Sequence, residues 1–361
     1  MKIAGILATQ GDWFAAQPAQ HPIVMSSRVR LARNLAKLPF PGWAKKSERI
    51  RIMEEIKPEV DTLAEMRSGF SEQLNELSAT DKQVLVERHL ISCEHAAKGM
   101  GSAVVINPSQ SLSIMINEED HLRMQAMSAG LDLPKTFQMI DEIDSLLEAQ
   151  LDFAFDDKLG YLTACPTNVG TGMRASAMVH LPGLVLSEQI NQVVNSINKI
   201  GLAVRGLYGE GTEAMGNLFQ VSNQTTLGEN ELQIIERLQK VIQTLIQREN
   251  QARENLVETR KTMLQDQIGR AYGVLTYAYS ITSKEALNLL SVLRLGVDLG
   301  FFVPESKGVI SQLLMETQPA HLQHVSAQKL AAEERDHLRA EIVREKLKNF
   351  PKPPNTKTSG K

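Results

Sequence analysis

The 361-residue chain carries 39 Lys and Arg against 42 Asp and Glu, a net charge of −3, and 42% of its residues are apolar. That content supports a large buried core and excludes gross disorder, and the near-neutral charge argues against a surface given over to nucleic acid. The length admits two domains, and no apolar run approaches the ~20 residues a membrane span needs.

The N-terminal "MKIAGILATQGDWF" has one Lys and a short apolar stretch, without the core and cleavage site of a signal peptide. Residues 46–78 carry apolar positions at helical spacing, with an expected break at Pro58. "QVLVERHLIS", "AVVINP" and "SLSIMIN" read as short strands, the last expected to be half-buried on the period-two spacing of Leu112, Ile114 and Ile116. "HLRMQAM" alternates again, so "NEED" (117–120) reads as a hairpin loop; a helix capped by Asn117 is the competing reading. A helix over 135–150, strands at "GYLTACP" and "MRASAMVHLP", a helix over 184–200, and strands at "LAVRGLYG" and "NLFQVSNQ" follow. Strands in clusters point to an α+β fold with a largely antiparallel sheet flanked by helices. No P-loop or G-x-G-x-x-G motif occurs.

From about residue 229 the pattern is helical, with Ile234, Leu238, Ile242, Leu245 and Ile246 on one stripe and a further helix over 325–349; "GVLTYAY" is the one possible strand there. A boundary near 252 separates the mixed domain (1–252) from an all-helical one (253–349), and 350–361, rich in Pro and Lys, is expected to be disordered. Cys93 and Cys165 are too few for a disulfide framework or a cysteine zinc site, which fits a cytoplasmic protein.

Five arginines lie at or beside the expected strands: Arg28, Arg30, Arg123, Arg174 and Arg205. Arg28 and Arg30 are two apart and share a strand face. Guanidinium forks match phosphate oxygens, so several brought onto one surface would clamp a triphosphate; singly, each reads as a surface ion pair. Glu118, Glu119 and Asp120 offer a carboxylate that could take a proton, or are a solvated loop tip. Glu210 sits between glycines in "LYGEGTEAMGN", a loop of the kind that closes over substrates. Cys165 precedes a turn-rich G-T-G and Arg174; a thiol beside guanidinium groups is drawn toward the thiolate, while the plain reading is a buried strand cysteine.

"SSRVRLARNL", "NEEDHLR", "CPTNVGTGMRAS" and "RGLYGEGTEAMGNLFQVSNQTTLG" together resemble the signature blocks of the ATP:guanidino phosphotransferases, the family of the creatine and arginine kinases. The blocks span residues 26–228 in family order. Within the family the sequence is most similar to the bacterial protein-arginine kinase branch. "SSRVR" already begins at residue 26, the loop is "RGLYGEGTEAMGNLFQVSN" with Gln220 near a position where creatine kinase has Asp, and "RDHLRA" (335–340) fits an R-D-x-x-R-A motif.

The resemblance implies a phosphagen-kinase, glutamine-synthetase-like catalytic fold. It implies ATP contacts from Ser26, Ser27, Arg28, Val29 and Arg30; from His89 and Arg123; from Arg174, Ala175, Ser176, Ala177 and Met178; and from Arg205, Gly206, Leu207, Tyr208, Gly209 and Glu210. Glu119, Cys165 and Glu210 correspond to the residues that hold the guanidinium, with Glu119 taking its proton. Arg335, Asp336, Arg339 and Ala340 correspond to a phosphoarginine pocket in a helical, subunit-pairing domain; otherwise Arg335 and Arg339 read as a solvated charged helix face. The implied cofactor is ATP with Mg²⁺ held by phosphates and water rather than by a protein metal site. Implied partners are protein substrates bearing arginine, an activator protein, a transcription repressor in a stress response, and a second copy in a homodimer or higher oligomer; no membrane or direct nucleic-acid contact is expected. A small-guanidine kinase and a non-enzymatic adaptor are the rival readings. "SCEHAAKGM" after His89 has no assignable role.

Overall fold

The computed structural model describes residues 1–13, 23–206, 214–326 and 328–352. Leu207, Tyr208, Gly209 and Glu210, and nearly all of the expected disordered tail, lie outside them. The strands are β1 (Val24–Arg33), β2 (Phe70–Gln73), β3 (Ala103–Ile106), β4 (Leu112–Ile116), β5 (Leu122–Ala129), β6 (Phe155–Asp156), β7 (Gly160–Tyr161), β8 (Met173–His180), β9 (Leu202–Gly206) and β10 (Leu218–Asn223). Eight form one sheet in the order β2-β3-β4-β5-β1-β8-β10-β9, and β6 pairs with β7 in a separate hairpin. Antiparallel registers run from β2 through β8.

The helices of the first part are α1 (Ile3–Ala8), α2 (Lys46–Thr62), α3 (Ala79–Glu87), α4 (Cys93–Ala96), α5 (Leu133–Glu148), α6 (Pro182–Leu186) and α7 (Ile190–Lys199). Then come α8 (Glu231–Thr259), α9 (Lys261–Tyr277), α10 (Ser283–Asp298), α11 (Ser306–Glu316), α12 (Pro319–Val325) and α13 (Ala332–Leu347). Two compact units result. The first holds Met1–Val179, Val194–Val204 and Gln220–Thr244; the second holds His180–Val193, Arg205–Phe219 and Leu245–Lys361.

Several local readings are corrected. "QVLVERHLIS" is not a strand: α3 covers its first half, started by a capping box in which Ser78 Oγ accepts the Asp81 N–H and the Asp81 carboxylate accepts the Ser78 N–H. Pro58 sits inside α2 without ending it, because Ile52, Met53, Ile56 and Val60 continue one buried stripe across it. β4 is buried on both faces rather than half-buried; its polar Ser113 is accommodated by donating to Leu90 O at 2.6 Å. In "GYLTACP" only Gly160–Tyr161 is strand, and Pro166 opens a 3₁₀ turn. The helical stretch over 184–200 breaks between α6 and α7, where Glu188 has φ 60°. "GVLTYAY" is helical through Tyr277: Leu264, Ile268, Ala271 and Leu275 of α9 form a buried 3–4 repeat that outweighs its β-prone residues.

Candidate active site

In antiparallel pairing, residues directly opposite one another project to the same side of the sheet. In β1, Arg28 and Arg30 share a side with Ala32. Arg174 of β8 stands opposite Arg30, and Arg123 of β5 opposite Ala32. Register alone therefore gathers four of the five arginines onto one side of three adjacent strands. The fifth, Arg205, is an exposed residue of β9 that belongs to the second unit.

The same parity divides the segments expected to touch nucleotide. Ser26, Ser176 and Met178 share the arginine side, whereas Ser27, Val29, Ala175 and Ala177 project to the opposite side. Val29, Ala175 and Ala177 are core residues, and Ser27 Oγ donates to Gly130 O at 2.9 Å and accepts the Asp132 N–H at 3.0 Å. These four carry the site without lining it.

The clustered cations are under electrostatic strain. Burial, followed by repulsion from Arg123 and Arg174, lowers Arg28 to about 10, although Arg28 donates to Gln220 Oε1 at 2.7 Å. Arg30 is pushed down further by burial and by Arg28, Arg123 and Arg174, and its buried Nε has no partner among the described residues. Like charges held together around an unpaired donor form a site for an anion. His89 adjoins it: Gln125, opposite Arg30, donates to His89 O at 2.7 Å, and burial with the nearby Arg28 lowers the imidazole to about 3, so it is neutral.

The β4–β5 hairpin, Asn117 to His121, brings acid to this cluster. Asn117 (φ 57°) turns the chain and donates to Arg49 O and Gly101 O, both at 2.8 Å. Asp120 Oδ1 accepts from Asn34 Nδ2 at 2.6 Å and from the Ala164 N–H at 2.7 Å. His121 Nδ1 accepts the Leu35 N–H and its Nε2 donates to Pro39 O, each at 3.0 Å; burial lowers this ring to about 4. Glu118, 1% exposed, pairs with Arg123 at 2.6 Å. Burial alone would raise its carboxyl; Arg123, Ser92 and the Glu119 N–H overcome that and hold it at about 2. Four neighbours are thus anchored, and Glu119 alone of the five is exposed.

Across the cavity stands Cys165, whose Sγ lies 3.1 Å from Thr167 Oγ1. Glu119, Cys165, Arg30, Arg123 and Arg174 line one cavity of about 140 Å³, with Thr167 and Asn168 on its wall. The G-T-G turn closes another side. A Cβ at Gly170 (φ 111°) would lie 2.3 Å from Thr226 O, and one at Gly172 (φ 65°) 2.6 Å from Ala32 O, so both must be glycine. Arg33 braces the turn: it donates to Thr171 O at 2.9 Å, pairs with Asp144 at 2.6 Å, and lies 3.4 Å over the Tyr161 ring.

The geometry and three comparisons converge. Residues 51–252 match the family model "ATP:guanido phosphotransferase, C-terminal catalytic domain", and residues 261–358 match "Protein-arginine kinase McsB C-terminal domain". The chain belongs to the protein-arginine kinase branch of the ATP:guanido phosphotransferases. It is 45% identical over 335 residues to a protein-arginine kinase of Halothermothrix orenii, covering 93% of this chain and 96% of that one. The corresponding protein of Syntrophomonas wolfei is 47% identical over 342 residues, with 93% and 94% covered. Among solved structures, a duplicated taurocyamine kinase from Schistosoma mansoni with bound transition-state-analogue components aligns with TM-score 0.58 at 28% identity, over 67% of this chain and 34% of that one. Lombricine kinase shares the fold with TM-score 0.57 at 24% identity, over 69% and 70%. As a family member the chain is an ATP-dependent phosphotransferase with a guanidino acceptor.

Two contributors escaped the sequence reading: Asn34, which joins the hairpin to the cysteine segment, and Arg33, which braces the glycine turn; each is a buried polar residue with no periodicity to announce it. Asp120, read from the sequence as one of three candidate proton acceptors, is instead the buried partner of Asn34 and the Ala164 N–H. Of the helical-domain residues singled out, Arg339 is 1% exposed and donates to Thr317 O at 2.9 Å, to Ile281 O at 2.8 Å and to Asp336. Arg335, half-buried, donates to Leu330 O at 2.8 Å, and Ala340 is buried. Arg339 is a packed staple rather than a solvated charge.

Proposed function

We propose that this cavity transfers the γ-phosphoryl group of ATP to arginine side chains of protein substrates. The observation that carries the reading is the convergence of four arginines on one side of the sheet, three of them lining one cavity with Glu119 and Cys165, in a chain 45% identical to a protein-arginine kinase. The orphaned Arg30 Nε and the mutual repulsion of the guanidiniums fit phosphate oxygens. They do not fit a bare cation, so Mg²⁺ would be carried on the nucleotide's phosphates.

Bound ATP supplies the transferable phosphoryl group. Arg28, Arg30, Arg123 and Arg174 neutralise its charge and hold it in line, and Ser26, His89, Ser176 and Met178 border them. Glu119 pairs with the substrate guanidinium and accepts its proton as the new N–P bond forms and the bond to the leaving ADP oxygen breaks. Cys165, held by Thr167, contacts a second nitrogen and fixes the plane of the cation. Alignment of this kind supplies ~7–11 kcal/mol of barrier lowering. Glu210, which follows the nucleotide-contacting residues Arg205 to Gly209 in the sequence, serves as the second acid.

The same reading gives the helical residues 253–349 the tasks of pairing subunits and binding phosphoarginine through Arg335, Asp336 and Arg339. It places the enzyme in the cytoplasm, marking proteins for regulated degradation and controlling a stress-response repressor, with an activator protein as a further partner. Incubating an arginine-rich model protein, free arginine and creatine separately with Mg-ATP tests the substrate class; phosphate on free arginine or creatine alone would refute it.

A further inference from the structure

The segment after His89 that the signature blocks leave unexplained, Ser92–Cys93–Glu94–His95, packs against the acidic hairpin. Ser92 is the N-cap of α4, its Oγ accepting the His95 N–H at 2.9 Å. The same hydroxyl donates to Glu118 Oε1 at 2.5 Å. That oxygen also receives the Arg123 guanidinium at 2.6 Å, and Glu118 Oε2 receives the Glu119 N–H at 3.0 Å. We infer that Ser92 is a positioning residue for phosphoryl transfer: its hydroxyl fixes the Glu118 carboxylate, which aims Arg123 into the cavity and anchors the backbone of Glu119. The inference rests on the reading of this cavity as the phosphoryl-transfer site.

The physical case starts from repulsion. Arg123 shares one side of the sheet with Arg28, Arg30 and Arg174, and on its own it would swing away from them toward solvent, to which its side chain is 23% open. Glu118 prevents this, with support from Glu119 and the exposed Glu94. A carboxylate aims a guanidinium only if its own rotation is arrested, and terminal carboxylate torsions are soft. Here each Glu118 oxygen is held from a different element: Oε1 by Ser92 at the start of α4, Oε2 by the hairpin backbone. The hairpin hydrogen bond is local and moves with Glu118. Ser92 ties the carboxylate to a separate helix, so it is the group that sets direction. A hydroxyl suits the place because it accepts from His95 and donates to Glu118 at once.

This double duty gives a test that separates positioning from capping. Asn and Asp are both strong N-caps, but only Asn retains a hydrogen to donate to Glu118. Ser92→Asn and Ser92→Asp, with Ser92→Thr as the conservative control, are compared in the full-length protein for melting temperature, Kd of a non-hydrolysable ATP analogue, and KM and kcat. Ser92→Asn and Ser92→Thr are expected within about three-fold of the parent. Ser92→Asp is expected to melt a few degrees below the parent, folded at the assay temperature, and to bind the analogue about ten-fold or more weaker, since a charge-assisted hydrogen bond is lost and a like charge gained. Indistinguishable Asn and Asp variants, whether both active or both impaired with lowered melting temperature, would reduce Ser92 to a cap and overturn the inference. A parent protein that does not bind the analogue would overturn the phosphoryl-transfer reading itself, and the inference with it.

Discussion

Asp120→Ala is the sharpest probe of how the two halves of the site are joined. Asp120 Oδ1 receives one amide hydrogen of Asn34 at 2.6 Å and the Ala164 N–H at 2.7 Å. It is therefore the pin between the hairpin that carries Glu119 and the segment that carries Cys165. Removing it leaves two buried donors unpaired, at ~1–3 kcal/mol each, so stability is expected to fall by about 2–6 kcal/mol. A shift of roughly 1 Å between Glu119 and Cys165 costs on the order of 10²-fold in turnover. Asp120→Asn is the matched control. Burial raises the Asp120 carboxyl above its ordinary 3.8, so a neutral replacement suits the place, and both hydrogen bonds end on the one oxygen that Asn retains. Urea unfolding and steady-state phosphoarginine formation read both variants. If Asp120→Ala matches the parent, or if Asp120→Asn is no better than Asp120→Ala, the pin is not what joins the halves.

Further outcomes follow from the same geometry. Glu119→Gln and Cys165→Ala are expected to cut phosphoarginine formation at least 10²-fold while leaving ATP-analogue affinity within a few-fold, whereas Arg123→Ala weakens both; equal activity in all three would remove these residues from the mechanism. His89, His95 and His121 are held at about 3, 4 and 4 in the fold, chiefly by burial, against an ordinary 6.5. Their depressed values mean that the unfolded chain binds protons first as pH falls, so urea midpoints should drop steadily from pH 6.5 toward 4; a flat profile from pH 7 to 5 would contradict their burial as neutral rings. Glu118, held at about 2, adds stability above pH 4.5 that is lost only as pH falls from there toward 2. Arg339→Ala leaves the carbonyls of Thr317 and Ile281 unpaired and should lower the stability of the helical unit by about 2–4 kcal/mol, whereas Arg335→Ala, which gives up one hydrogen bond, should cost less than 1.5 kcal/mol. Circular-dichroism melts that rank them the other way would refute the staple.

Much of the arginine cluster was legible because strand alternation is a strict period of two. Once "SSRVRLAR" is a strand, Arg28 and Arg30 must share a side, and only the partners' register remains open. That register, which sets Arg174 opposite Arg30 and Arg123 opposite Ala32, depends on long-range pairing and cannot be read along one strand. The hairpin at 117–121 was legible from alternating flanks, but the division of labour within it was not. Asn117, Glu118, Asp120 and His121 are held by contacts to residues 16 to 87 positions away, so Glu119 could not be singled out by spacing. The misread of "QVLVERHLIS" has a local cause. Its V-L-V triplet is a short apolar run rich in β-branched residues, which reads as a buried strand, while the deciding signal, the Ser78 cap with Asp81, lies upstream of the quoted stretch. "GVLTYAY" failed because β-branched and aromatic residues describe a half-buried surface as well as a strand, and here the surface belongs to α9.

The most direct test is mass spectrometry of an arginine-containing protein after incubation with the enzyme and Mg-ATP, handled at neutral to mildly basic pH so that the acid-labile N–P bond survives. Phosphate on arginine side chains of the polypeptide, abolished by Glu119→Gln, is the expected result. Phosphate confined to hydroxyl side chains, or an arginine signal that persists in Glu119→Gln, would contradict the assignment of this cavity.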